Sequence, residues 1–456
     1  MNEMLRRMLH QLQWDRTLGY ALGTRFWQAF SGPITIVFLI EALSLSEQGI
    51  YYSIVSIVGI QAYFELGLLN VLVSQSSHVS AKLASLNENS SSLNGKPSEN
   101  PEWLRAAARM RDLIKASGRW FGWAAAAYAL IAIGFGWLTL ADSDTSWRIP
   151  FLFTIPAAAF AIALAPSLSI LEGAGFRDTI YRYRLLQMVI GSVAVWTTLL
   201  LGFKLWSLVF AFFTQTLVSA YIVLVVKRDF FSTYDKLPST ESTFGWMREV
   251  VPVQWRIALI TASFHFATQF FTIIVCKFHS DAEAAPLGMT LSISSAIQMV
   301  ALSWIQTKYP LVATHHGKGD RETAGALWRR TAIVSTVLLC LGFVALTVLT
   351  YCLPLIRDGL GRRFLTPEQV IFLAIGALAN HIAAVQGFYV LAMKAKPLLK
   401  ASLIGSIPTA IAVWVGGFYF STNGVLIGYA LGMALFLTPA HTWAYLKFRK
   451  SPTFIQ

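Results

Sequence analysis

The fold class this sequence predicts is an all-α polytopic membrane protein of about twelve transmembrane helices, and three observations predict it. The 456 residues are 55% hydrophobic and only 13% charged, with a mean hydropathy of +0.56, more apolar surface than a water-soluble core can bury. Successive windows of about 20 apolar residues, each long enough to cross about 30 Å of hydrocarbon, fill nearly the whole chain. Lys and Arg alternate in density from one connection to the next, as they do in chains that weave through a bilayer.

Residues 1–16 are too polar to supply the apolar region of a secretory signal. Met4, Leu5, Met8, Leu9 and Leu12 fall at helical spacing among Arg6, Arg7 and Gln13, which predicts an interfacial N-terminal helix. Spans are expected at 17–43, 46–76, 120–141, 148–171, 183–202, 204–226, 250–276, 286–311, 329–355, 367–393, 400–420 and 423–446. Several exceed the bilayer minimum, so tilt or protrusion into water is expected. The long connection 77–119 begins polar and turn-rich, hence flexible. It continues from Glu102 to Lys115 as a basic amphipathic surface helix with Trp103, Leu104, Ala107, Met110 and Ile114 on its apolar side. The linker 231–249 separates six spans in 17–230 from six in 250–456.

With the N-terminus cytoplasmic, 28 of the 36 Lys and Arg residues lie in inner segments and six in outer ones, while Arg25 and Arg256 lie inside spans. That bias puts both termini in the cytoplasm. The net charge of +13 is therefore an orientation signal. Because its basic residues are divided among short loops, no nucleic-acid partner is expected. Cys276, Cys340 and Cys352 are scattered through apolar sequence without metal-ligand spacing, so neither a metal nor a cofactor is expected.

The two halves share a spacing. Gly49-x3-Ser53-x2-Ser56 enters the second span and Gly288-x3-Ser292-x2-Ser295 enters the eighth, each after an acidic outer turn. Two readings are open: an internal duplication, common in transporters, or small residues placed where membrane helices pack closely.

The run 42–78 carries Leu45-Ser46-Glu47-Gln48-Gly49, the Tyr51-Tyr52 pair and Phe64-Glu65-Leu66-Gly67-Leu68 before Gln75. Further on stand Leu171-Glu172-Gly173, Tyr181-Arg182-x-Arg184 and Pro252-x-Gln254-Trp255-Arg256. In these motifs the chain resembles oligosaccharide and polysaccharide flippases, O-antigen flippase-like, of the multidrug/oligosaccharidyl-lipid/polysaccharide (MATE-like) superfamily. The resemblance implies two six-helix bundles around a central cavity, with spans 1, 2, 7 and 8 facing it. It also implies that a polyprenyl-diphosphate-linked glycan is moved from the inner to the outer leaflet of the cell membrane by alternating access. Protons or sodium ions would be the coupling partners, and other polysaccharide-assembly membrane proteins the neighbours.

Charge within an apolar span costs at least about 2.5–3.5 kcal/mol and so needs a partner, a wet cavity or a substrate. Arg25 lies about 12 Å inside span 1 and Arg256 about 10 Å inside span 7, counted by helical rise. Guanidinium suits a diphosphate because its planar fork meets two oxygens. With Gln28, Gln254 and Lys308, these arginines form the expected diphosphate or cavity set; snorkelling to the interface is the alternative for Arg256, and a solvated lysine for Lys308. Glu65, about 16 Å inside span 2, either pairs with Arg25 or is released by substrate to take a proton. Arg182 and Arg184 anchor span 5 or touch phosphate, and His265 and His381 satisfy helix contacts or carry protons.

No catalytic residues are expected. There is no G-x-x-x-x-G-K-[ST] loop, and Asp142-Ser143-Asp144, which looks like a D-x-D metal motif, sits in a short outer turn. A cation-coupled multidrug exporter of the same superfamily, or a membrane glycosyltransferase or polymerase, are the competing functions. An aromatic-rich acidic cavity would favour the exporter, and a cationic cavity open sideways to lipid would favour the flippase.

Overall fold

Side-chain caps at Ser44, Ser280 and Asp320 start three of the helices, while those that follow Trp147, Phe176 and Leu205 start without one. The computed structural model describes residues 16–65, 68–92, 100–236, 246, 259, 262–357, 359–392 and 398–449, and no strand occurs among them. The interfacial helix expected in 1–16 lies, but for Arg16, outside the described residues.

The chain divides into two compact units. The first comprises Met1–Ala42, Ile60–Phe135 and Ser146–Trp255, and the second Leu43–Gly59, Gly136–Thr145 and Arg256–Gln456. In the first unit lie α1 (Arg16–Ala42), the short α3 (Gln61–Glu65), α4 (Leu68–Ser92), most of α5 (Pro101–Leu140), α6 (Arg148–Gly173), α7 (Arg177–Leu200), α8 (Trp206–Tyr221, with a π turn at Ile222–Val226) and α9 (Arg228–Asp235). Helix α1 packs on α7: the Trp27 indole donates to Ser192 Oγ at 3.1 Å and that of Trp196 to Thr35 Oγ1 at 2.9 Å. α6 packs on α4 and α8.

The second unit holds α2 (Leu45–Val58), α10 (Phe271–Phe278), α11 (Asp281–Gly317), α12 (Arg321–Ile356), α13 (Pro367–Ala392), α14 (Leu398–Gly432, followed by a π turn) and α15 (Thr438–Arg449). Ser44 caps α2 in a reciprocal box, its Oγ accepting from Glu47 N at 3.3 Å while Glu47 accepts from Ser44 N at 2.8 Å. Ser280 and Asp320 cap α11 and α12 with single bonds from Glu283 N and Thr323 N. At 37 and 36 residues, α11 and α12 are about 55 Å long and extend beyond the hydrocarbon, as the window lengths predict.

Eight helices among the described residues are long and apolar enough to cross a membrane, or nine if one broken pair counts as a span. The protein is therefore a multi-pass, all-α membrane protein. α1 falls outside the eight because Arg25, Gln28 and Glu41 depress its mean hydropathy. The stretch Leu399–Arg449 counts once but is bent back on itself at Phe420 and Ser421, where φ of Ser421 is +53°, at the expected boundary between spans 11 and 12. Three expectations change, the first being that 77–92, expected to open a flexible connection, continues α4 as helix. The second span is not one helix: α2 ends at Val58, Gly59 N bonds to Val55 O at 2.9 Å, and a new helix starts at Gln61. The basic segment 102–115 is not a separate surface helix but the extension of α5, a continuous 40-residue helix that buries Ala107, Met110 and Leu113 in protein.

Candidate functional site

The close approach of α2 to α11 builds the second unit's interior. Gln48 Nε2 donates to Ala285 O at 3.0 Å, and the Tyr52 hydroxyl donates to Met289 Sδ at 3.1 Å. Partners advance together along both chains, so the helices run parallel. A Cβ added at Gly49 would collide with the Asp281 carbonyl, and one at Gly288 with the Tyr52 ring. Small residues are required at both places. The repeated Gly-x3-Ser spacing thus marks two helices that touch each other. Gln48, fully buried, also accepts from Arg363 Nη1 at 2.9 Å, and Ser56 Oγ lies 2.8 Å from Thr272 Oγ1 on α10.

Beside this contact lies a cavity of about 660 Å³, within the size range of small-molecule sites. Its polar lining is amide and hydroxyl: Gln269, Gln298, Gln306 and Asn380, with Ser56, Thr268, Thr272, Ser292, Ser295, Ser402 and Ser406. Tyr52, Phe264, Phe271 and Tyr429 add ring faces, and His441 adds an imidazole. Among the described residues lining it, none is Lys, Arg, Asp or Glu. Gln298 Nε2 donates to Ser294 Oγ at 3.2 Å. Ser406 Oγ is enclosed with no hydrogen-bond partner among the described residues, a buried hydroxyl with capacity to spare. Such a wall can exchange neutral hydrogen bonds and offer apolar ring faces. Among the described residues it carries no fixed charge.

Arg25 is exposed on α1, its Nη1 donating to Gln28 Oε1 at 3.4 Å. Glu65, half-buried at the end of α3, belongs to the same unit. Gln254 and Arg256 lie outside the described residues. Lys308 is half-buried on α11, two residues beyond the cavity-lining Gln306. Arg184 donates to Glu172 at 2.9 Å, Tyr181 donates to the same carboxylate at 3.4 Å, and the Arg184 guanidinium lies 5.2 Å from the Tyr181 ring. Arg182 lies 5.9 Å from the Tyr183 ring.

His265 is half-buried in the helical stretch 262–268. His381, 2% exposed on α13, meets Ser335 Oγ at 3.1 Å. That hydroxyl already donates its one hydrogen to Ala301 O at 2.6 Å, so His381 Nε2 carries the proton and donates. His441 was not foreseen: it sits 3.2 Å from Ser402 Oγ in the cavity wall. Its near neighbours in sequence are apolar or small, so only tertiary structure distinguishes it. Asp142 of the outer turn pairs with Lys277 at 2.7 Å, and Ser143 donates to Asp281.

No protein-family model matches the chain, and no curated relative matches it. Solved structures do. The lipid II flippase MurJ, in an inward closed conformation, has a TM-score of 0.58 at 14% identity over 96% of this chain and 91% of that one. The MATE multidrug transporter DinF-BH in complex with R6G has a TM-score of 0.55 at 14% identity over 97% and 96%. A MOP superfamily transporter from Pyrococcus furiosus, described as having a binding pocket of reverse polarity, has 0.51 at 12% identity over 95% of each chain. At these identities the likeness concerns the fold alone, which this chain shares with MATE multidrug transporters and with the lipid II flippase MurJ.

Proposed function

We propose that this chain is a membrane transporter that flips a polyprenyl-diphosphate-linked oligosaccharide from the inner to the outer leaflet of the cell membrane by alternating access, with both termini cytoplasmic and without a chemical step. The observation that carries the reading is the uncharged cavity of the second unit, whose amides and hydroxyls match the hydroxyls of a sugar and whose Tyr52, Phe271 and Tyr429 rings match its C–H faces. Arg25 with Gln28, and Arg256 with Gln254, are the proposed diphosphate receptors, with Lys308 extending the basic set and Arg182 in a supporting role. Glu65 is the proposed coupling carboxylate, taking a proton or sodium ion when substrate occupies Arg25. His265 and His381 serve helix contacts. Other polysaccharide-assembly membrane proteins are the proposed neighbours.

Reconstitution into liposomes with a fluorescent polyprenyl-diphosphate glycan tests this. The expected result is transfer between leaflets well above that of protein-free liposomes, and equal rates would contradict it. A multidrug exporter is the second reading, because the same cavity also offers Phe264, Met299 and Leu302 to an apolar drug. Uptake of an organic cation that glycan lipid does not inhibit would favour it.

A further inference from the structure

The end of α14 that begins at Leu398 and the C-terminal end of α15 enclose a groove of about 740 Å³ lined by Lys400, Ala401, Ile404, Trp443, Ala444 and Lys447 among others. Ile404 and Trp443 are each 63% exposed, so the groove opens to the surroundings of the unit. Both lysines stand at the ends of the apolar stretch Leu399–Arg449, at the level where a span leaves hydrocarbon for headgroups. Among the described residues no carboxylate lines the groove and neither lysine has an ion-pair partner; Lys447 Nζ lies 5.0 Å from the Trp443 ring.

Another basic cavity sharpens the meaning of that absence. Around Arg111, Lys115 and Arg228 in the first unit, Asp112 lies 3.0 Å from Arg111 and Asp235 lies 2.8 Å from Lys115, so two of its three cations are already answered. Among the described residues nothing answers the charge of the α14–α15 groove.

We propose that this groove binds an anionic phospholipid, its phosphodiester between Lys400 and Lys447 and an acyl chain along Ile404 and Trp443. Two ammonium groups supply several donors to phosphate oxygens. Tryptophan suits the headgroup boundary, and basic pockets at the inner ends of membrane helices meet the anionic leaflet on the orientation expected from the Lys and Arg distribution. The groove lies apart from the neutral cavity, so lipid binding can fail while the transport reading holds, and the reverse.

Native mass spectrometry of the purified full chain, with equimolar dioleoyl phosphatidylglycerol and phosphatidylcholine in detergent, tests the proposal. The wild type should retain phosphatidylglycerol in clear excess. Lys400→Gln with Lys447→Gln should lower that adduct about tenfold relative to phosphatidylcholine, and Lys400→Arg with Lys447→Arg should keep it. Equal retention of the two lipids by the wild type overturns the assignment, and this comparison decides the matter even if the glutamine variant does not fold. Unchanged adducts in a folded glutamine variant overturn it too. Excess inorganic phosphate should leave the adduct in place, and its displacement would mark a free-anion site instead of a lipid site.

Discussion

A cavity in each unit disposes of polarity in its own way, one charged around Arg111, Lys115 and Arg228 and one neutral around Gln298 and Asn380. In the first unit ion pairs stand beside neutral contacts such as Trp27 with Ser192: Arg184 with Glu172, Arg111 with Asp112 and Lys115 with Asp235, and Arg25 reaches Gln28. In the second, the contacts in and beside the cavity of about 660 Å³ are neutral, Ser335 with His381, Ser402 with His441, Gln386 with Thr442 at 2.9 Å, and Ser56 with Thr272, while Arg363 with Gln48 and Lys277 with Asp142 do not line it. A charged group in hydrocarbon needs a counter-charge or an ionic ligand, whereas a neutral hydrogen-bonding wall suits a ligand rich in hydroxyls. The contrast separates two ligand chemistries that a lipid-linked glycan combines in one molecule, a diphosphate and a sugar.

Substitutions can break that contrast, and the largest effect should come from the helix contact under the neutral cavity. Gly49→Leu would drive a side chain into the Asp281 backbone, so a loss of about 3 kcal/mol is expected, read as thermal unfolding in detergent. Gly122→Ala, on α5 with no atom near the added Cβ, should be neutral or slightly stabilising in the same assay. Next comes Ser335→Ala, which leaves the buried His381 N–H without its acceptor and should cost about 2 kcal/mol.

The charged pair of the first unit should matter less. The Arg184 side chain is 43% exposed, so Arg184→Gln should cost about 1 kcal/mol. Adding Glu172→Gln should recover part of it, and a double-mutant cycle without coupling would remove the pair from the account. The smallest effect is expected at Asp235 in α9. The hydrogen bond and charge of Lys115 hold its carboxyl below the usual carboxylate range. A lowered folded-state pKa adds stability that is present above the unfolded value and lost as pH falls through the folded one. Asp235→Asn should therefore flatten the acid limb of a stability–pH curve slightly and leave neutral pH almost unchanged.

Hydropathy made the spans legible because crossing hydrocarbon demands long apolar windows whatever the tertiary structure. The same windows hid the break at Gly59, since a turn between apolar residues does not alter mean hydropathy. The Gly49 and Gly288 spacings were visible, yet their meaning was contact between α2 and α11, which only the structure reveals. The charged positions Arg25 and Glu65 stood out against apolar neighbours. Gln298, Asn380 and His441 did not, because single neutral polar residues on three different helices become a cavity wall only once those helices fold together.

The most direct test of the proposed division of labour compares transfer of two fluorescent lipids in liposomes, polyprenyl diphosphate with and without its oligosaccharide. Arg25→Gln should slow both, whereas Asn380→Leu should slow the glycosylated lipid about tenfold and leave the bare diphosphate unchanged. Equal slowing of both lipids by Asn380→Leu, or none by either substitution, would contradict the assignment of diphosphate to the arginines and glycan to the neutral cavity.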